Sequence, residues 1–248
     1  MQRLWTGALL LWSLAATAPA KDLTIGVEAV DYLPYYTGKG DQYTGFAREL
    51  FDLFAKETGH RLTFRVLPVN RLFDEFLAKN SKLDFKFPDH SNWQQKLKQG
   101  HSVVYSDPVV PYVDGVLTTS TRAGINELRV IGTARGFTPW DYLGDIKAGR
   151  IKKVENNSLT GLLMQAVDGR IDGAYFNIFV ARHLYQTLGQ GEKLVFLKKF
   201  PHTRSSYHLS SIRHPQVIKE FNQFMHKHKA RIQSLHEKHG LTDKHLSH

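Results

Sequence analysis

Apolar segments of two kinds alternate along the chain, and this alternation limits the possible folds more than any other feature of the sequence. Residues 23–27 (LTIGV) form a short apolar run that is typical of a buried strand. Apolar residues at helical spacing follow from about residue 47 to residue 58, where Gly59 ends the pattern. A strand at residues 62–66, a second helix and a third strand at residues 83–87 come next. This order predicts an α/β domain with an open, largely parallel sheet.

The alternation stops at a longer extended run, residues 109–118, and restarts near residue 120. Further strands are predicted at residues 128–131 and 170–176, and helices are predicted between and after them. The restart indicates a second α/β lobe inserted into the first. One last helix, which opens at His214 and Pro215 and keeps a single apolar face, is predicted to return to the first lobe.

Three residues are predicted to set the ends of elements. Asn70 is a suitable N-cap for the second helix, and Ser158 for the helix that runs through Val167. Pro88 is expected to break the third strand, because proline donates no hydrogen bond to a neighbouring strand.

Composition excludes several classes of function. The 248 residues contain no cysteine, so disulfides, thiolate metal sites and a cysteine nucleophile are excluded. The formal net charge is +10, but the basic residues are scattered rather than gathered in one stripe. We therefore expect no nucleic-acid partner.

The N-terminus has the pattern of a secretory signal peptide over residues 1–20. Arg3 is followed by a short apolar core, and Ala18 and Ala20 are the small residues expected before a cleavage site. The mature chain is predicted to start at Lys21. No later segment approaches the length of a transmembrane helix, so we expect export to the bacterial periplasm without membrane insertion.

Polar and aromatic residues follow the predicted strands. In an open α/β sheet the ligand binds beyond the carboxyl ends of the strands, so these residues are expected to share one rim. Aromatic rings can enclose a ligand there, and charged or amide groups can select it, although each may equally pack within its own lobe or face solvent. The candidate ligand-binding residues are Tyr32, Tyr35, Tyr36, Arg71, Asp89, His90, Trp93, Arg135, Gly136, Phe137 and Asn177.

Six segments follow one another in a characteristic order across nearly the whole mature chain. They read DYLPYY, YTGFARELFDLFAKETG, FLAKNSKLDF, YSDPVV, RVIGTARGF and AVDGRIDGAYFN, and the terminal helix follows them. With these segments the chain resembles the type II periplasmic solute-binding proteins, family 3, the polar amino acid-binding branch of ABC transporters. The resemblance implies two lobes, each a mixed sheet flanked by helices, joined by two hinge strands around a ligand cleft.

The resemblance also implies the extent of each lobe. Lobe one would comprise residues 21–111 and 205–248, and lobe two residues 112–204. The hinges would be residues 109–118 and the segment near residues 202–206.

Two positions depart from the pattern of the amino acid binders. The arginine that clamps the ligand carboxylate in that family has no counterpart in residues 91–96 (SNWQQK), and Lys96 lacks its bidentate fork. The acidic position that reads the ligand ammonium corresponds to neutral Asn177. The backbone amides of Arg135, Gly136 and Phe137 could still hold a carboxylate. The expected ligand is therefore a small polar or anionic solute rather than a standard α-amino acid.

The resemblance implies a monomeric binding protein, not an enzyme, without cofactor or metal, that serves an inner-membrane ABC permease or a sensor. One alternative is a periplasmic enzyme similar to the cyclohexadienyl dehydratases, with Asp89 and His90 as an acid–base pair. Adjacent residues on an extended chain point in opposite directions, which argues against that pair. Another is a weak metal site at His236 and His239, which are spaced i, i+3 on the last helix.

Overall fold

The chain forms a mixed α/β structure in which strands and helices alternate. The computed structural model describes residues 19–39, 42–119, 127–189 and 193–242. Its strands are β1 (Asp22–Glu28), β2 (Asp31–Tyr32), β3 (Tyr36–Lys39), β4 (Gln42–Thr44), β5 (Arg61–Leu67), β6 (Phe85–Asp89), β7 (Val104–Tyr105), β8 (Val110–Thr118), β9 (Val130–Ala134), β10 (Lys152–Asn156), β11 (Gly173–Asn177), β12 (Val195–Phe196) and β13 (His202–Ser211). Its helices are α1 (Phe46–Thr58), α2 (Val69–Leu77), α3 (Gln95–Lys98), α4 (Leu143–Lys147), α5 (Leu159–Val167), α6 (Ile178–Leu188), α7 (Pro215–Lys227) and α8 (Lys229–Lys238).

Ten of these strands form one continuous sheet. Its order is β10-β9-β11-β8-β13-β6-β1-β5, with β12 beside β8 and β7 beside β13. In the first half of the sheet, β1 is parallel to both β5 and β6; in the second half, β9 is parallel to both β10 and β11. The α/β class predicted from the sequence is confirmed.

Strands β8 and β13, called the crossing strands below, join the two halves of the sheet. They pair antiparallel from His202↔Gly115 to Tyr207↔Val110. Strand β13 then continues beside β6, whereas β8 continues beside β11. The lobe boundaries expected at residues 112 and 205 fall within these two strands, and the division of the chain into lobes stays a prediction. The predicted signal peptide lies outside the described residues, except for its last two positions.

Helix α1 packs its apolar face against the first half of the sheet. The face contains Phe46, Leu50 and Phe54, all of which are buried. Gly59 ends the helix as predicted, with φ 76°, and its N–H donates to the Ala55 carbonyl at 2.8 Å. Glycine takes this left-handed conformation without steric cost.

Two predicted boundaries were wrong. Helix α2 begins at Val69 rather than after Asn70, because the Pro68 carbonyl already accepts the first helical bond from Leu72 N–H at 2.8 Å. Strand β6 runs through Pro88 to Asp89. It can do so because pairing with β1 ends at Phe87, so the missing N–H of Pro88 costs no hydrogen bond to β1. On the other side of the strand, β13 pairs with Asp89.

The C-terminal segment returns to the first half, as predicted, but it forms two helices rather than one. Helices α7 and α8 meet at His228, whose backbone (φ −105°, ψ 23°) leaves the helical region. Their common apolar face includes Phe221 and Leu235, which are buried, and both helices contact α1. Ser158 caps α5 as predicted by accepting from Gly161 N–H at 3.1 Å.

A small sheet, β2-β3-β4, follows β1 and contains the aromatic residues of this segment. Its register sets Tyr32 opposite Tyr36, and the two rings stack at 5.5 Å. In the described part of the chain, no helix is both long and apolar enough to cross a membrane.

Candidate functional site

A small cavity lies between the two halves of the sheet. Its volume is about 60 Å³. On the side of the first half, the wall contains Tyr32 and Tyr36 of the small sheet, Phe73 of α2, and Trp93, which precedes α3. The second half and its loops contribute Phe137, Trp140 and Tyr175, and Asp114 and Tyr207 come from the crossing strands. Because both halves line it, any occupant would contact both.

Aromatic rings hold the two halves against each other at this cavity. The ring of Phe137 meets the ring of Tyr32 edge-on at 5.5 Å. The hydroxyl of Tyr32 accepts hydrogen bonds from Tyr207 and from the backbone N–H of Asn177. The two halves are therefore in direct contact beside the cavity.

Tyr35 forms a second link behind the cavity wall. Its hydroxyl donates to the Pro111 carbonyl at 2.8 Å and accepts from Asn177 Nδ2 at 3.2 Å. The Asn177 side-chain oxygen meanwhile caps α6 by accepting from Phe179 N–H at 2.8 Å. Both predicted site residues thus join the halves of the molecule and do not line the cavity.

Asp114 is the most unusual polar group of the wall. It lies on β8, in register with Asn177 on one side and Thr203 on the other, so its backbone is fixed by two strands. Its Oδ1 has no hydrogen-bond partner among the described residues. Burial raises the pKa of Asp114 to about 7, helped by the nearby Asp141 carboxyl and opposed by a hydrogen bond from Asn177.

Glu28 is the other carboxyl group of the wall. It ends β1 and is buried, and it accepts a hydrogen bond from the Tyr36 hydroxyl at 2.6 Å. Burial raises the pKa of Glu28, while the ammonium of Lys86 and the Tyr36 hydroxyl act in the opposite direction. Glu28 is therefore partnered from within the protein, whereas the outer oxygen of Asp114 is not.

Of the eleven residues predicted from the sequence, the structure brings one group together at the cavity. These residues are Tyr32, Tyr36, Trp93, Gly136 and Phe137. A hydrogen bond to the Tyr112 hydroxyl holds the indole of Trp93 beside β8. Gly136 has φ 84° and packs against Asn70 of α2, so a side chain there would be strained and would press on the other half.

Asp89 and His90 lie elsewhere. Asp89 is fully buried in the first half, where it accepts from Lys98 Nζ at 2.8 Å and from the Ser210 hydroxyl at 2.7 Å. His90 Nδ1 accepts from Asn92 N–H at 3.1 Å, so its Nε2 donates to Ser205 Oγ at 3.0 Å. The two side chains do not form the acid–base pair considered from the sequence.

Both predicted arginines are exposed and lie outside the cavity. Arg71 is on the outer face of α2, and Arg135 donates from Nε to Asn157 Oδ1 at 2.6 Å. Arg135 borders a second, larger groove of about 410 Å³, which residues of both halves also line, Pro68 and Ser158 among them.

The three backbone amides that could have held a carboxylate are already engaged. The N–H of Arg135 donates to the Asn156 carbonyl and that of Phe137 to the Ala134 carbonyl, both at 3.0 Å. The N–H of Gly136 donates to the Glu155 carboxylate. This loop therefore offers a ligand anion no free amide from these residues.

The histidines of the last helix have other partners. His236 Nε2 contacts the Val109 carbonyl at 3.2 Å, and His239 Nε2 contacts Glu49 at 3.1 Å. Within the ranges that the structure describes, no group of three or more His, Asp or Glu side chains is arranged to hold a metal ion.

Sequence reasoning missed several residues of the wall. Asp114 gave a usable signal, because it is the only charged residue in the apolar run VVPYVDGVLT. Glu28 similarly ends the first buried strand. Tyr175 and Tyr207 gave no such signal, because alternating aromatic residues in a strand are typical of any core.

No family model matches the chain, and no curated protein matches it. Several solved structures do. A mutant of ArgBP from T. maritima is 19% identical, with a TM-score of 0.68, over 88% of this chain and 94% of that one. The arginine-, lysine-, histidine-binding protein ArtJ from Geobacillus stearothermophilus is 16% identical, with a TM-score of 0.68, over the same shares.

A third similar structure is that of a binding protein related to an enzyme. It is an ancestral amino acid-binding protein described as a precursor of cyclohexadienyl dehydratase. It is 19% identical to this chain, with a TM-score of 0.67, over 88% of this chain and 95% of that one. At these identities the likeness concerns the fold. The chain therefore has the two-lobed fold of the type II periplasmic binding proteins, as the resemblance in its sequence implied.

Proposed function

We propose that this protein is a periplasmic solute-binding protein that encloses a small solute between its two lobes. The observation that carries the proposal is the cavity lined from both halves of the sheet beside the crossing strands. A solute that contacts both halves stabilises the closed arrangement through its higher affinity for that state. The solved amino acid-binding proteins of the same fold support this function.

The bound solute would be passed to an inner-membrane ABC permease or presented to a sensor. The signal-peptide pattern of residues 1–20 supports export to the compartment where both partners are reached. The protein would act as a monomer in this role.

A dehydratase remains the second candidate because of one observation. Asp114 has a pKa of about 7 in an aromatic cavity, which suits a general acid at neutral pH. Prephenate, however, carries two carboxylates, and none of the described residues of the wall is basic. Release of phenylpyruvate from prephenate by the purified protein would establish this activity over the binding function.

A thermal-shift screen against amines, amino acids, organic acids and small peptides tests the binding function. A ligand raises the melting temperature once its concentration exceeds its dissociation constant. Trp93→Ala, which opens the cavity wall, is expected to lose most of that shift. Arg135→Ala is the matched control on the outer surface and is expected to keep it.

Two results would contradict the proposal. One is a complete screen without any stabilising compound. The other is a stabilising compound whose shift survives Trp93→Ala but is lost with Arg135→Ala, which would place binding in the larger groove beside Arg135 and contradict the cavity as the site.

A further inference from the structure

The wall of the cavity, as far as the structure describes it, contains acidic side chains but no basic ones. Glu28 and Asp114 are its ionisable carboxyl groups, and its described residues include no lysine, arginine or histidine. Lys86 is buried behind the wall and offsets the charge of Glu28. Its ammonium group lies 4.0 Å from the Phe73 ring, 5.6 Å from the Trp93 ring and 3.7 Å from the Asp89 carboxylate. Asp114 has no such cation among the described residues of the wall.

One carboxyl oxygen is left open to an occupant. The tyrosine hydroxyls of the wall are used within the protein: that of Tyr36 donates to Glu28 at 2.6 Å, and that of Tyr175 donates to Asp141 at 3.2 Å. Only Asp114 Oδ1, among the described polar atoms of this wall, is buried without a partner. A buried carboxyl oxygen without a donor is costly unless a ligand supplies one or a positive charge.

Aromatic rings line the same cavity as this carboxyl group. Tyr32, Phe137, Trp140, Tyr175 and Tyr207 all reach the same cavity from different elements. The faces of aromatic rings attract cations, and cages of several rings bind ammonium groups without needing hydrogen bonds.

We propose that the cavity selects a small organic cation that carries no carboxylate, such as an alkylammonium or quaternary ammonium ion, with Asp114 as its counter-ion and the aromatic rings as its cage. This inference rests on the proposed solute-binding function and names its ligand class. This ligand class differs from the polar or anionic solute expected from the sequence. The backbone amides of residues 135–137, which were expected to hold an anion, already donate to groups within the protein.

The cavity also limits the size of the ligand. A water molecule needs about 10–15 Å³ of such space. A cavity of about 60 Å³ is therefore large enough for more than a single water molecule but favours a small ligand. Tetramethylammonium is a suitable probe because it is a small, compact cation.

Calorimetric titration with tetramethylammonium chloride tests the inference, in sodium phosphate so that no amine buffer competes. Tert-butanol is the neutral probe of similar shape, and sodium acetate is the anionic probe. Tetramethylammonium is expected to bind at least roughly tenfold more tightly than either. Asp114→Asn is expected to weaken it roughly tenfold or more. Asp52→Asn, an exposed control on α1, should leave it unchanged.

The pH dependence of the unaltered protein gives a second test that needs no variant. A cation binds the ionised carboxyl group, so its affinity should rise by roughly tenfold or more between about pH 5.5 and about pH 8.5 as Asp114 ionises. The groups that face Asp114 are the Asp141 carboxyl and the hydroxyls of Tyr32, Tyr112, Tyr175 and Tyr207. Burial raises the pKa of each tyrosine, so these hydroxyls stay neutral throughout.

The outcomes separate the ligand class from the function. Binding of acetate or of the neutral probe in preference to tetramethylammonium would overturn the cation inference and leave solute binding intact. Tetramethylammonium binding that is insensitive both to pH and to Asp114→Asn would overturn the role of Asp114. Failure of all three probes, together with failure of the wider thermal-shift screen, would overturn both proposals.

Discussion

Asp89 in the first half of the sheet is fully buried, and Asp114 on the crossing strand β8 is half-buried with a buried Oδ1. The surroundings of the two carboxyl groups are opposite. Asp89 meets the ammonium of Lys98 at 2.8 Å, that of Lys86 at 3.7 Å and the hydroxyl of Ser210 at 2.7 Å. Asp114 faces another carboxyl group, that of Asp141, and one of its oxygens has no partner in the described chain.

The difference explains why one carboxyl group is structural and the other is suited to a ligand. A buried charge that is paired and fully hydrogen-bonded is part of the folded framework. A buried carboxyl group without these partners is destabilised in its ionised form, and a bound cation can relieve that cost. The same residue type thus has different roles in the two places, and the neighbouring groups decide which.

The largest expected effect is at Asp89. Asp89→Asn removes the carboxylate that the buried Lys86 and Lys98 both face, and breaking a buried pair in this way costs about 3–5 kcal/mol of unfolding free energy. Urea denaturation measures this loss. The matched control is Asp52→Asn, which removes an exposed i, i+4 pair with Arg48 and is expected to cost no more than about 0.5 kcal/mol. Equal losses for the two variants would remove the contrast between them.

The second expected effect is a gain in stability on substitution of Asp114, and its size depends on pH. The Asp114 carboxyl has its pKa raised to about 7 in the folded state, from an ordinary value of 3.8. The folded protein then binds more protons than the unfolded chain between these two values, so stability falls as pH rises through them. Asp114→Asn mimics the protonated group. It is expected to be more stable than the unaltered protein at about pH 8, by up to about 4 kcal/mol, and to approach it below about pH 4.

Urea denaturation of both proteins across this pH range measures the difference. A gap in stability that does not change with pH would mean that Asp114 does not titrate in this range, and its contrast with Asp89 would then be one of geometry alone.

The smallest expected effect extends the comparison from carboxyl groups to hydroxyls. Tyr35 and Tyr43 are both buried, but the Tyr35 hydroxyl bonds to Pro111 and Asn177, whereas the Tyr43 hydroxyl has no hydrogen-bond partner among the described residues. Tyr35→Phe should therefore cost about 1–2 kcal/mol, because it leaves the Pro111 carbonyl without its donor. Tyr43→Phe should be neutral or slightly stabilising. Thermal unfolding of the two variants side by side measures the difference, and the reverse order would contradict the assignment of partners.

Local pattern was enough to predict most of the fold. The apolar face of α1, its end at Gly59 and the serine cap of α5 all follow from residues within a few positions of one another. The errors arose where a distant strand decided the outcome. Pro88 stays inside β6 because β1 stops pairing one residue earlier and β13 pairs beyond it, and neither strand adjoins Pro88 in the sequence.

The candidate site was less predictable than the fold. Tyr32, Tyr36, Trp93, Gly136 and Phe137 could be anticipated, because they follow strands whose carboxyl ends share one rim. Asp114 was missed because it lies within a strand, where that rule gives no reason to look. The exposed positions of Arg71 and Arg135 also could not be derived, since a helix or loop can turn an arginine towards a cleft or away from it.

The sequence by itself determined the alternation of strands and helices, the two-lobed fold that this order resembles, and the aromatic character of the segment after β1. Only the tertiary structure decided which carboxyl group is partnered. The Ser210 hydroxyl that binds Asp89 lies 121 residues away, and the groups beside Asp114 reach it through the register of β8 with β11 and β13. Periodicity is a property of neighbouring residues, whereas the solvation of a buried charge depends on whatever the fold packs against it.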